Sequence, residues 1–201
     1  MNNSCSVWVE REFAGVDLGD AWLNRRFKMI MTRLARQCGK TLASSFRQWK
    51  AIKAGYRFFA NPHVKESAML APHIDQTVER LKAHDTVLVL QDSTYLDYNN
   101  RPNTQGLDFT FRSKFSKVSK GVILHNTLAM TDTGLPLGLL DQRFIDRKSF
   151  NGRNHAEMRQ NRHWNRPVEE KESLRWIDVL QHCHALEVGQ TRLTKKSAGT
   201  H

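Results

Sequence analysis

The 201-residue chain is poor in cysteine, in acidic residues and in long apolar runs, and each shortage removes a class of protein. Three cysteines, Cys5, Cys38 and Cys183, are too few and too scattered for a disulfide framework, and none stands in a CxxC pair that would hold zinc. That usage predicts a reducing, intracellular setting. No apolar stretch approaches the roughly 18 residues that a membrane span needs. Met1–Arg11 lacks a basic segment followed by an apolar one, so the expectation is a soluble, cytoplasmic protein with no membrane partner. Walker A, GxGxxG and HExxH motifs are missing too, which takes away the main support for nucleotide-cofactor and metalloprotease readings. No internal repeat or low-complexity block interrupts the chain.

What is present is positive charge. Thirty-one Lys and Arg against twenty Asp and Glu give a net charge of +11, a field suited to nucleic acid or another polyanion. The excess is concentrated: residues 1–70 hold twelve basic and five acidic residues. Hydrophobic residues make up 39% of the chain and include five Trp, enough to bury a core despite a mean hydropathy of -0.59.

In the basic third, Phe27, Ile30, Met31, Leu34 and Cys38 recur at three- and four-residue steps, which predicts an amphipathic helix stopping at Gly39. Arg25, Lys28, Arg33 and Arg36 fall away from that apolar stripe. A second helix is predicted from Phe46, Trp49, Ile52 or Lys53, Tyr56 and Phe59, opened by Ser44 or Ser45 as cap and closed at Asn61-Pro62. Two such helices resemble a DNA-binding pair, or form a hairpin whose charges only keep it soluble. A third, from about His73 to Leu81, follows from Ile74, Val78 and Leu81.

After His84-Asp85 the pattern changes. Thr86 to Leu90 is a compact apolar run leading into Gln91-Asp92-Ser93-Thr94, and predicts a buried strand with a carboxylate at its end. Asn99 to Gly106 reads as loop. Residues 121–131 and 135–145 read as two further strands about the turn Asp132-Thr133-Gly134, completing a three-strand meander. Residues 151–167 show no usable period. From Glu169 a last helix is predicted, with Leu174, Ile177, Leu180 and Cys183 inward. An aspartate just past a strand is ordinarily a turn or cap residue, and less often a metal ligand. His182, Cys183 and His184 form no ligand set, because helix residues two apart diverge by about 200°.

Six colinear blocks then carry a resemblance: LGD (Leu18 to Asp20), LARQCGK (Leu34 to Lys40), KAGYRFFANPHV (Lys53 to Val64), QDSTYLDY (Gln91 to Tyr98), KGVILHNTLAMTDTGLPLGLL (Lys120 to Leu140) and EEKESLRW (Glu169 to Trp176). Together they closely resemble the bacterial cut-and-paste transposases of the transposon-five type. The resemblance implies an α+β chain: a helical domain over 1–82 that binds double-stranded transposon-end DNA, then part of a ribonuclease-H-like domain over 83–201. It also implies a partner in a homodimer or in a full-length transposase.

On the resemblance Asp92 matches the first carboxylate of the DDE triad, which in the family holds two magnesium ions about 3.5 to 4 Å apart for attack at a phosphodiester. Arg26, Arg36 and Lys40 align with basic positions used on end DNA; Arg25, Arg33 and Lys53 are expected phosphate contacts by position. Ala21-Trp22-Leu23 departs from the family's more basic stretch, and His125 matches a family position where a packed strand histidine is expected. Lys114, Lys117 and Lys120 flank the loop before that strand. The family's second and third carboxylates find no match: after Asp178, itself expected on a solvated helix face, the one remaining acid is Glu187. The expectation is therefore a transposase portion cut before its second catalytic residue, binding ends without cleaving them. The alternatives are a strand transferase completed by other chains, and an inactive remnant.

Overall fold

A computed structural model describes residues 4–101, 103–105, 107–111, 119–145, 176–178, 181 and 183. The chain divides into two units, Met1–Arg80 and Leu81–His201. The first holds helices α1 (Ser4–Glu12), α2 (Ala21–Arg36), α3 (Leu42–Phe46), α4 (Trp49–Phe59) and α5 (Glu66–Leu81, ending at the unit boundary). Strands β1 (Val87–Asp97), β2 (Asp108–Phe111), β3 (Ser119–Thr131) and β4 (Pro136–Ile145) belong to the second, so the architecture is α+β in sequence order.

α2 is the axis of the helical unit. The LGD segment builds its start: Leu18 is buried, Gly19 takes a positive φ of 77°, and the Asp20 carboxylate accepts the Leu23 backbone N–H at 2.9 Å. Leu23, Phe27 and Ile30 are buried along one side, with Met31 and Leu34 packed against the same core. The Phe27 ring meets Phe13 edge-on at 5.0 Å and stacks near Phe58 at 6.3 Å, joining α2 to the segment after α1 and to α4. Cys38 lies past the helix end and is exposed, so the apolar stripe stops one step earlier than its spacing suggests.

The expected second helix is two. Thr41, rather than Ser44 or Ser45, caps α3 by accepting the Ser44 N–H at 3.2 Å, and Arg47 at φ 56° breaks the chain before α4 begins. The break resets the phase. Phe58 and Gly55 turn inward, while Trp49 and Tyr56, expected in the apolar stripe, are 75% and 57% exposed. α5 starts at Glu66, seven residues ahead of its expected start, and runs through Pro72. A proline there withholds one N–H, yet Pro72 is buried and the helix continues.

α1 and α5 are joined by a buried carboxylate. Glu12 is 3% exposed; its Oε1 accepts from His73 Nδ1 at 2.6 Å and from Arg80 Nη2 at 2.9 Å, and its Oε2 accepts from Arg80 Nη1 at 2.8 Å. Arg80 Nη2 also donates to Thr77 Oγ1 at 3.0 Å. Burial pushes the Glu12 carboxyl up, but the hydrogen bonds and charge of Arg80, then those of His73, outweigh it and hold it below its ordinary value of 4.5.

In the second unit β3 is central. β1 pairs antiparallel along one edge, from Val87 opposite Thr131 to Asp97 opposite Gly121, and β4 pairs antiparallel with β3 across the tight turn at Gly134 (φ 90°). β2, not anticipated from the sequence, pairs with the start of β3. The register shifts between Thr127 and Leu128 and between Ala129 and Met130, and Leu137 and Leu140 of β4 are both buried. On β3 Ile123, His125, Thr127, Ala129 and Thr131 alternate inward.

β1 is neither buried on both faces nor finished at Asp92. It alternates half-buried and exposed residues, with Leu88 and Leu90 on the exposed side, and runs five residues beyond Asp92. Thr94, Tyr95 and Leu96 carry it on because the long β3 supplies partners down to Gly121. Trp176, Ile177, Asp178, Gln181 and Cys183 are helical; Ile177, expected inward, is 49% exposed. The remainder of that helix, the 151–167 excursion, Lys114, Lys117, His182, His184 and Glu187 lie outside the described residues.

Glu12→Ala, which leaves Arg80 without its buried partner, should destabilise the helical unit by about 3 kcal/mol in chemical denaturation. Glu12's contribution is complete above its ordinary value of 4.5 and is lost as pH falls through the lowered folded value. Denaturation midpoints followed down the acid limb should therefore fall less steeply for Glu12→Gln than for the unaltered chain.

Candidate nucleic-acid interface

Because Leu23, Phe27 and Ile30 face the core, the opposite side of α2 is left for solvent, and it carries the charge. Arg25, Lys28, Arg33 and Arg36 line one open groove of about 530 Å³, with Thr32 and Met29 between them and Glu10 of α1 at its side. Their steps of three, five and three residues place successive cations roughly 4.5 to 7.5 Å apart along the helix axis. That is a spacing at which one protein surface can meet several phosphates of a duplex, whose axis carries one charge per roughly 1.7 Å. α2 is N-capped by Asp20, with Arg33 and Arg36 in its last turn.

Two arginines of α2 are positioned by aromatic rings. The Arg33 guanidinium lies 5.1 Å from the centre of the Phe46 ring, so α3 steadies a cation of the groove. Arg26 lies 5.6 Å from the ring centre of the exposed Trp22, one turn earlier on α2, and its buried Nε makes no hydrogen bond. Trp22, in the first turn of α2, thus carries Arg26 against its ring.

The expected contact residues are therefore only partly gathered. Arg25, Arg33 and Arg36 share the groove; Arg26 is on α2 but not among the groove's lining residues. Lys40 follows Gly39 (φ 77°) beyond the helix, exposed, its backbone N–H donating to the Gln37 carbonyl at 2.9 Å. Lys53 is exposed on α4, a turn from Trp49 and from Tyr56. Sequence periodicity found Lys28 on the basic side but not Glu10, which belongs to another helix eighteen residues away and joins Lys28 only through the fold.

Asp92 is exposed in mid-strand, facing Asn126 across β1–β3; Asn126 Oδ1 in turn accepts from Gln142 Nε2 of β4 at 2.8 Å. The row is one carboxylate beside two amides. Paired magnesium ions call for several hard oxygen ligands converging from neighbouring elements. Among the described residues no group of three or more His, Cys, Asp or Glu side chains could hold a metal ion, so the described neighbourhood of Asp92 does not fit such a pair. Asp178 is exposed, in keeping with a solvated helix face.

The other face of the sheet is polar within. His125, 1% exposed, has Nδ1 2.7 Å from Ser93 Oγ and its ring edge-on to Trp176 at 5.0 Å, which fits the packed histidine expected there. Asp141 Oδ2 accepts from Arg143 Nε at 2.7 Å. Burial, with the nearby Asp141 charge, pushes the Cys183 thiol up to about 11.

Residues 6–64 match the family described as "Transposase DNA-binding". The match takes in α2 with all of its cations, the LGD start and α4, and it ends at Val64, before α5. A transposase-like DNA-binding function is thereby supported for this part of the chain. No helix among the described residues is long and apolar enough to cross a membrane.

A thiol held near 11 is almost entirely protonated at pH 8 and reacts slowly, whereas Cys38 is exposed. Iodoacetamide at pH 8, read by peptide mass spectrometry over time, should label Cys38 well before Cys183.

Proposed function

We propose that this protein binds double-stranded DNA at the ends of a transposon of the transposon-five type, using the basic side of α2. The observation that carries the reading is the groove: Arg25, Arg33 and Arg36 line a single open surface inside the segment that matches the transposase DNA-binding family. Phosphate neutralisation along that surface supplies affinity, and register on the duplex comes from contacts to base edges. Lys40, Arg26 and Lys53 extend the field beyond the groove on neighbouring surfaces of the helical unit.

The sheet carrying Asp92 is read as part of a ribonuclease-H-like domain, supported by the QDSTYLDY and KGVILHNTLAMTDTGLPLGLL blocks and by the antiparallel pairing of β1, β3 and β4. Asp92 takes the place of the first carboxylate of a DDE site that is incomplete. In this reading the chain recognises ends and does not cut them. A magnesium-dependent nick at the element's terminal repeat, abolished by Asp92→Asn, would contradict it.

The test of end recognition is competition binding to a labelled terminal-repeat duplex against scrambled duplex across a salt series. The expected result is preference for the terminal repeat and a log-log salt slope that falls by about 0.9 for each phosphate contact removed. Arg25→Gln with Arg36→Gln should reduce the slope by up to about 1.8 on that scale, with thermal stability unchanged, since both side chains are exposed. Equal affinity for both duplexes would sink end recognition and leave only charge-driven attraction.

A further inference from the structure

The basic groove contains one acid among its described lining residues, and that acid is placed against a cation. Glu10 of α1 stands at the side of the groove with its side chain 63% exposed, and its Oε2 accepts from Lys28 Nζ at 2.8 Å, while the Lys28 side chain is only 22% exposed. Such a pair does little for stability; exposed ion pairs contribute at most about 1 kcal/mol. The location is what gives it a consequence. Lys28 lines the same groove as Arg25 and Arg33, and it has a carboxylate at hydrogen-bond distance.

Resting on the DNA-binding reading above, we infer that Glu10 is a built-in counter-charge that holds Lys28 off the phosphates and limits the groove's attraction for unrelated duplex. A phosphate that approaches Lys28 meets the Glu10 carboxylate beside it, a like-charge juxtaposition that opposes binding and offsets the attraction of the ammonium. The pair therefore enters the complex as a neutral unit. A protein that must find few sites among many gains by this, because non-specific affinity scales with the phosphates neutralised and competes with the specific site.

The experiment uses the full chain and a scrambled duplex across a salt series. Glu10→Gln, which keeps the shape and removes the charge, should bind the scrambled duplex several-fold more tightly at low salt and steepen the log-log salt slope by about 0.9, one phosphate contact. Glu10→Gln combined with Lys28→Gln should return to the slope of the unaltered chain, because the pair is replaced by two neutral amides. Asp75→Asn makes the same change in net charge at an exposed position on α5 away from the groove lining, and should have the smaller effect.

Binding by the unaltered chain with Glu10→Gln no stronger than Asp75→Asn overturns the counter-charge and leaves the DNA-binding reading standing. A slope that stays steep in the double variant also overturns it, since the extra contact would then not be Lys28. Failure of the unaltered chain and of Glu10→Gln alike to bind any duplex overturns both readings.

Discussion

The helical unit depends on the two-sidedness of α2. One half of its circumference is committed to the core by Leu23, Phe27 and Ile30, each 6% exposed or less, and the aromatic contacts of Phe27 fix that half against the segment after α1 and against α4. A helix so committed cannot rotate without exposing Phe27 and Ile30, which full burial stabilises by about 1.5–3 kcal/mol each. Its other half is thereby presented to solvent in one fixed arrangement, and that half carries Arg25, Arg33 and Arg36. The basic face is a consequence of core packing. Its cations need no loop to order them, and Phe46 steadies one of them from α3.

The two polar pairings of this unit do different work because of burial. Glu12 is enclosed, and the two hydrogen bonds from Arg80 with a third from His73 compensate its desolvation, tying the first helix to the last. Glu10, two residues earlier on α1, is open to water, so its bond to Lys28 is exchangeable and acts on the charge of the groove rather than on the fold. Two faces of one short helix thus serve as anchor and as electrostatic modulator. In the second unit Asp141 pairs with Arg143, and Ser93 with His125, on the inner face of the sheet, while Asp92 stands on the outer one.

Much of the helical unit was legible beforehand because its information is local. The three- and four-residue spacing of Phe27, Ile30, Met31 and Leu34 identified α2, and the same arithmetic placed Arg25, Lys28, Arg33 and Arg36 on its outer side. Its start, a positive-φ Gly19 followed by the capping Asp20, is instead a finding of the structure. The errors also have local causes. Phe46 and Trp49 fit a common period on paper, yet the turn at Arg47 resets it and sends Trp49 and Tyr56 outward. The apolar run stops short of Asp92 and so predicts a strand ending there, whereas the length of β1 is set by its partner strand.

Sequence alone determined the balance of charge, its concentration in the first third, the order helices then strands, and the sidedness of α2, since composition and periodicity are properties of neighbours along the chain. Only the tertiary structure decided which cations share a groove, that Lys40 and Lys53 are not among its lining residues, that Glu10 takes Lys28, and that Glu12 meets His73 and Arg80 across 61 and 68 residues. The same holds for Asp92, whose place in mid-strand beside Asn126 depends on register. These are contacts between elements, fixed by how apolar faces pack and strands align, and no spacing along a single segment encodes them.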